Sequence, residues 1–142
     1  MKNPRTLITL CLLFTAATLF AQTESQRLMK INIPFAFGVE DHSLPAGDYL
    51  VLTVTPERSI RIVSVDGKHS AIVNDLPNYA SSPSPSSRLV FHRYGNQYFL
   101  TQVWTAGQNV ARNPLSSKRA MEIASSGVTP QTFTILAVAD RR

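Results

Sequence analysis

The chain has 142 residues, 44% of them apolar and 16% charged, and a formal net charge of +5. That balance excludes a disordered polyelectrolyte, and a single cysteine excludes a disulfide-stapled scaffold. The basic residues are scattered along the chain, so their excess gives no footprint for a nucleic-acid partner.

Lys2 and Arg5 precede a charge-free run from Leu7 to Phe20, which ends at Ala21 before the polar Gln22-Thr23-Glu24-Ser25-Gln26. A positive start, an apolar middle and a small residue before a polar stretch make residues 1–21 a cleavable secretory signal peptide. Leu19 departs from the small residue that this pattern places three before the cut. The competing reading is an uncleaved anchor. A spanning helix needs about 20 apolar residues, whereas this run has 14, three of them threonine. Cys11 follows Leu10 in the middle of the run, which excludes a lipoprotein signal. Cleavage leaves residues 22–142 as one exported domain, periplasmic or extracellular, with net charge +3 and no membrane span. The only cysteine departs with the leader, and with it any thiolate nucleophile or Cys-ligated metal.

From Met29 to Val39 the odd positions are apolar (Met29, Ile31, Ile33, Phe35, Phe37, Val39), a period of two that predicts a half-buried strand. Pro34 places it at an edge or bends it into two pieces. Two polar turns, Glu40–Ser43 and Leu44–Asp48, lead to a strand over Tyr49–Thr55. The next strand, Ser59–Val65, returns through Asp66-Gly67 to Lys68–Val73. A type I′ turn there pairs Ile62 with Ala71 and Ile60 with Val73. Residues 74–87 are rich in proline and serine and read as a long surface loop.

A second hairpin joins Arg88–Tyr94 to Gln97–Trp104 through Gly95-Asn96, a type II′ signal. Regular pairing sets Phe91 against Leu100 and His92 against Phe99. It places Arg93, Tyr98 and Trp104 on one face and His92, Tyr94, Phe99 and Val103 on the other. Asn113-Pro114 predicts the start of a helix that runs to Ala124 and ends at Gly127, with Ala120, Ile123 and Ala124 on one side. Thr132–Ala139 is the last strand. The expected fold is all-β: a single β-sandwich or small barrel of about six to seven strands with one short helix near the C-terminus.

Leu44-Pro45-Ala46-Gly47-Asp48-Tyr49 resembles the turn that opens a strand in prealbumin-like, carboxypeptidase-regulatory-like β-sandwich modules. The stretch from Pro34-Phe35-Ala36-Phe37 through this turn to Phe91-His92-Arg93-Tyr94-Gly95 and Val103-Trp104 is similar to small exported bacterial β proteins with no assigned activity. The resemblance therefore implies a fold and transfers no functional residue.

His42, His69 and His92 lie far apart and lack the short spacing of a zinc site. Asp41-His42-Ser43 holds triad residue types in sequence neighbours, which do not form a triad. There is no Gly-x-Ser-x-Gly elbow, no carboxylate pair and no glycine-rich phosphate loop, so no enzyme, metal or cofactor is expected. The remaining signal is the aromatic hairpin. The expected function is a non-catalytic binding or structural domain at the cell envelope, meeting a protein or glycan through Trp104, Tyr98, Arg93 and His92. One alternative is a barrel carrier whose cavity is lined by Phe35, Phe37 and Phe91. The other is a hydrolase without a recognisable motif, built around His92 with an acid and a serine.

Overall fold

A computed structural model describes residues 25–54 and 58–138. The leader over residues 1–21 lies outside the described residues. The first strand, β1 (Ser25–Ile33), buries Met29, Ile31 and Ile33 and exposes Lys30 and Asn32, as alternation requires. Pro34 ends it, and β2 (Phe37–Val39) resumes the same period with Phe37 and Val39 buried. β3 (His42–Leu44) closes a short hairpin on β2. In the following turn, the buried Tyr49 hydroxyl donates to the Pro45 carbonyl at 2.6 Å. That bond fixes the chain as it enters β4 (Gly47–Val54).

β5 (Ser59–Ser64) and β6 (Ser70–Tyr79) pair as expected, Ile62 with Ala71 and Ile60 with Val73. Their turn differs from type I′. Gly67 has φ +73° but Asp66 is not in the left-handed region, and the Ser64 amide donates to the His69 carbonyl. The loop therefore holds four residues. Asp66 Oδ1 shapes it by accepting from Ser64 Oγ at 2.6 Å and the Lys68 amide at 3.0 Å.

β6 runs on through Tyr79, past the point where the composition becomes loop-like, and this narrows the irregular segment to residues 80–87. Its first half pairs with β5. Its second half pairs with β9 (Val110–Pro114). Where the partner changes, the buried Asp75 carboxylate meets Arg112 Nη1 at 3.3 and 3.5 Å. Residues 80–87 are tied down as well. Ala80 and Ser84 amides donate to the Asn109 and Gln108 carbonyls, and Gly107 donates back to Ser84.

β7 (Arg88–Tyr94) and β8 (Gln97–Trp104) form the second hairpin about Gly95, whose φ of +59° suits a type II′ turn. β10 (Gln131–Leu136) pairs with β7. The ladders give one ten-stranded mixed sheet, in the order β1-β4-β5-β6-β9-β8-β2-β3 with β7 and β10 joined through β8; its parallel pair is β2–β8. The all-β class stands, but the expected six to seven strands in a sandwich or barrel are replaced by ten in a single sheet. β6 is the reason, because one strand serves both halves and carries the ladder across. The sheet curls around one core. Phe37 meets Tyr49 of β4 at 5.4 Å and Phe91 of β7 at 5.6 Å, ring centre to ring centre.

The helix, α1 (Lys118–Ser125), begins four residues after the expected start. Asn113 and Pro114 are taken by β9, where they stand opposite Leu76 and Asp75. Ser117 caps the helix instead, its Oγ accepting the Ala120 amide at 3.0 Å.

Candidate functional site

The geometry of the β7–β8 hairpin turns on one extra residue. Val90 stands opposite Gln102 but Phe91 stands opposite Leu100, so Thr101 is a β-bulge. Its hydroxyl donates to the Val90 carbonyl at 3.0 Å. A bulge reverses the side-chain parity beyond it. Val103 therefore enters the core, and Trp104 moves to the outer face with Val90, His92, Tyr94, Phe99 and Gln102. Regular pairing placed Trp104 with Tyr98 and Arg93, and the bulge separates them.

Trp104 is enclosed by Val90, Ala111 and Ala80. The Arg88 guanidinium lies 4.9 Å from its ring, and its Nε1 donates to Gln102 Oε1 at 2.9 Å. This is a packed, satisfied side chain. Arg93 and Tyr98 remain together on the other face. The Arg93 guanidinium sits 5.5 Å from the Tyr98 ring and 5.7 Å from Phe133, with Nε donating to the Gly95 carbonyl at 2.6 Å. Tyr98 stacks on Phe35 at 3.7 Å. Phe35 in turn meets Phe91 edge-on at 5.1 Å, and Phe91 meets Phe37. The three phenylalanines proposed to line a carrier cavity thus pack against one another.

Two predicted site residues open onto concavities: Tyr98 onto one of about 370 Å³ beside β2 and β3, and His92 onto a larger one. A groove of about 520 Å³ runs between the outer face of the hairpin and α1. Its floor is His92, Tyr94, Phe99 and Gln102; Tyr94 lies 6.0 Å from Phe99 and 6.5 Å from His92. Its roof is Ala120, Met121 and Ala124, neighbours on one side of α1. Leu76 and Leu115 flank it, and with Met121 they are 59%, 43% and 53% exposed. The helix buries none of its own residues. It is held at its start by the Ser117 cap, by Asp41 Oδ1 accepting the Lys118 amide at 3.4 Å, and by Arg119 Nε donating to Gln97 Oε1 at 3.4 Å. It bridges the space without filling it.

Polar groups line the same space. The Asn113 Oδ1 in its wall is buried without a hydrogen-bond partner. The groove gathers a histidine, an acid and a serine, yet they are not wired as a catalytic set. Glu40 Oε1 accepts the Asn74 amide at 2.9 Å, and Ser117 Oγ is occupied as the helix cap. His92 makes a ring contact with Tyr94 and no hydrogen bond to either. Nucleophile–base and base–orienter contacts are the geometry that the hydrolase reading requires. Among the described residues no three metal-ligating side chains cluster, and no helix is long and apolar enough to cross a membrane.

Sequence reasoning reached His92 and the apolar side of the helix, Ala120 and Ala124. It missed Met121, Leu115 and Leu76, because nothing in the local pattern says where an eight-residue helix will dock. No protein-family model, curated protein or solved structure matches the chain.

Proposed function

We propose that this chain is an exported, non-catalytic binding domain of the cell envelope, and that it takes a small amphiphilic ligand in the groove under α1. One observation carries the reading. A concavity within the 300–1,000 Å³ range of small-molecule sites sets aromatic and aliphatic walls beside the uncommitted imidazole of His92. Tyr94, Phe99, Leu115 and Met121 supply apolar contact area, and His92 and Gln102 supply a polar end that orients the ligand. Leu76, Leu115 and Met121 are large apolar side chains left half in water, and a ligand body between them removes that exposure.

The test is a titration with anilinonaphthalene sulfonate, an amphiphilic dye, on the exported protein. Saturable, blue-shifted fluorescence is expected at one site. Ala120→Trp fills the groove from a helix that buries nothing, so it abolishes dye binding and leaves the thermal midpoint in place. Unchanged dye binding in that variant, or no binding by the parent, refutes the groove as the site.

A further inference from the structure

Among the described residues the sheet ends in three strand edges, and they are built differently. β1 carries exposed Arg27 and Lys30 along its length, has a register shift between Arg27 and Met29, and stops at Pro34. β3 is three residues long and stops at Pro45. Charge, bulge, shortness and proline are the devices that keep an edge from pairing with another chain. β10 has Pro130 before its first residue but none of them within its length. Gln131-Thr132-Phe133-Thr134-Ile135-Leu136 holds no charge, proline or glycine, and β-branched residues make up half of it. Among the described residues it pairs with β7 on one side only, and β1 passes near it without forming a ladder. Phe133 and Leu136 are 37% and 61% exposed.

We infer that the free edge of β10 is an interface, and that its occupant is β10 of a second copy of this chain, paired antiparallel across a twofold axis. Charge selects that occupant. In an isologous contact each strand meets itself, so every charged residue faces its own sign. β1 would bring Arg27 and Lys30 against themselves, whereas β10 brings none. Residues directly opposite in an antiparallel pair share a face. Pairing centred on Thr134 therefore sets Thr134 against its own copy and Phe133 against Ile135 of the second chain. Phe133 and Ile135 lie on the core side of β10, with Phe133 beside Phe35 and Tyr98 and Ile135 packed on the core, so the two apolar interiors become continuous at the axis. The other two edges are guarded, so assembly closes at two chains. A ladder of five residues from each strand is small for an interface, so the dimer is weak and concentration-dependent.

Sedimentation equilibrium of the exported protein over a range of concentrations tests this. The parent is expected to shift from one chain to two, with no larger species. Thr134→Lys places two ammonium groups opposite each other and weakens association by about tenfold or more. Thr134→Val keeps the edge uncharged and keeps the dimer, which separates loss of the interface from loss of fold. A parent that stays monomeric, an open-ended series of oligomers, or a Thr134→Lys variant that dimerises like the parent each overturns the inference.

Discussion

Tyr49 holds the Leu44–Tyr49 turn shut from inside the core, and burial is what makes its chemistry visible. Desolvation, with a smaller contribution from the Asp66 carboxylate, pushes its phenol above the ordinary value of 10.0. The unfolded chain therefore ionises Tyr49 first as pH rises. The stability tied to this residue is complete below about pH 10 and is lost as pH climbs through the folded value. Tyr49→Phe removes the bond to the Pro45 carbonyl and is expected to cost about 1 kcal/mol at neutral pH. It also flattens part of the alkaline decline, so parent and variant converge in denaturant melts above pH 10. Asp66 acts at the other end of the scale. Hydrogen bonds from Ser64 and the Lys68 amide hold its carboxyl below the ordinary value, so its contribution is present at neutral pH and fades as acid protonates it.

Thr101 shows where sequence reading stops at this scale. Both faces of β8 are apolar, so alternation allows Val103 or Trp104 to be the core residue. Which one it is depends on a single unpaired residue, whose only local mark is a threonine able to bond the strand opposite. The bulge therefore separates Trp104 from Arg93 and Tyr98, while His92 stays on the face where regular pairing puts it. Arg93 and Tyr98 lie on one face, Trp104 is enclosed on the other, and His92 alone faces the groove.

Among the elements, β2 matters more than its three residues suggest. Its parallel ladder with β8 sets Gly38 beside Phe99, and a β-carbon at Gly38 would stand 2.9 Å from Cδ1 and 3.1 Å from Cε1 of that ring. Glycine is what lets the Phe99 ring lie against the backbone and form the groove floor. Gly38→Ala should cost about 1–3 kcal/mol by overpacking, read from denaturant midpoints, and should shift Phe99 into the groove. Most elements were legible because their signals are local. Alternation marked β1 and β2, β-branched content marked β4, and the Gly67 and Gly95 turns gave the pairing of two hairpins near their turns. The failures share a cause. Asn113-Pro114 has the residues of a helix start, and Asn74–Tyr79 has the residues of a loop, yet each supplies the other's strand partner. Long-range pairing outweighed propensity at both places, and no window of sequence contains both.

For the whole molecule, the continuous ladder through β6 has two consequences. It curls the sheet around one core, so the outer face of β7–β8 is free to carry a helix and a groove. It also leaves the sheet with ends, of which β10 carries neither the charge of β1 nor the shortness of β3. The groove lies on the outer face of β7–β8, and β10 runs along the far edge of β7, where Thr132 stands opposite the groove residue His92. Neither was readable beforehand, because each depends on what the rest of the fold leaves uncovered.

The central claim is that the ligand site lies beneath α1 and not at the Arg93–Tyr98–Phe133 cluster. A nitrogen–proton correlation NMR titration with anilinonaphthalene sulfonate distinguishes the two directly. The account predicts that amides of His92, Phe99, Leu115 and Met121 move with one shared saturation curve while those of Arg93, Tyr98 and Phe133 stay in place. Shifts concentrated at Arg93, Tyr98 and Phe133, with the α1 amides unmoved, would contradict it.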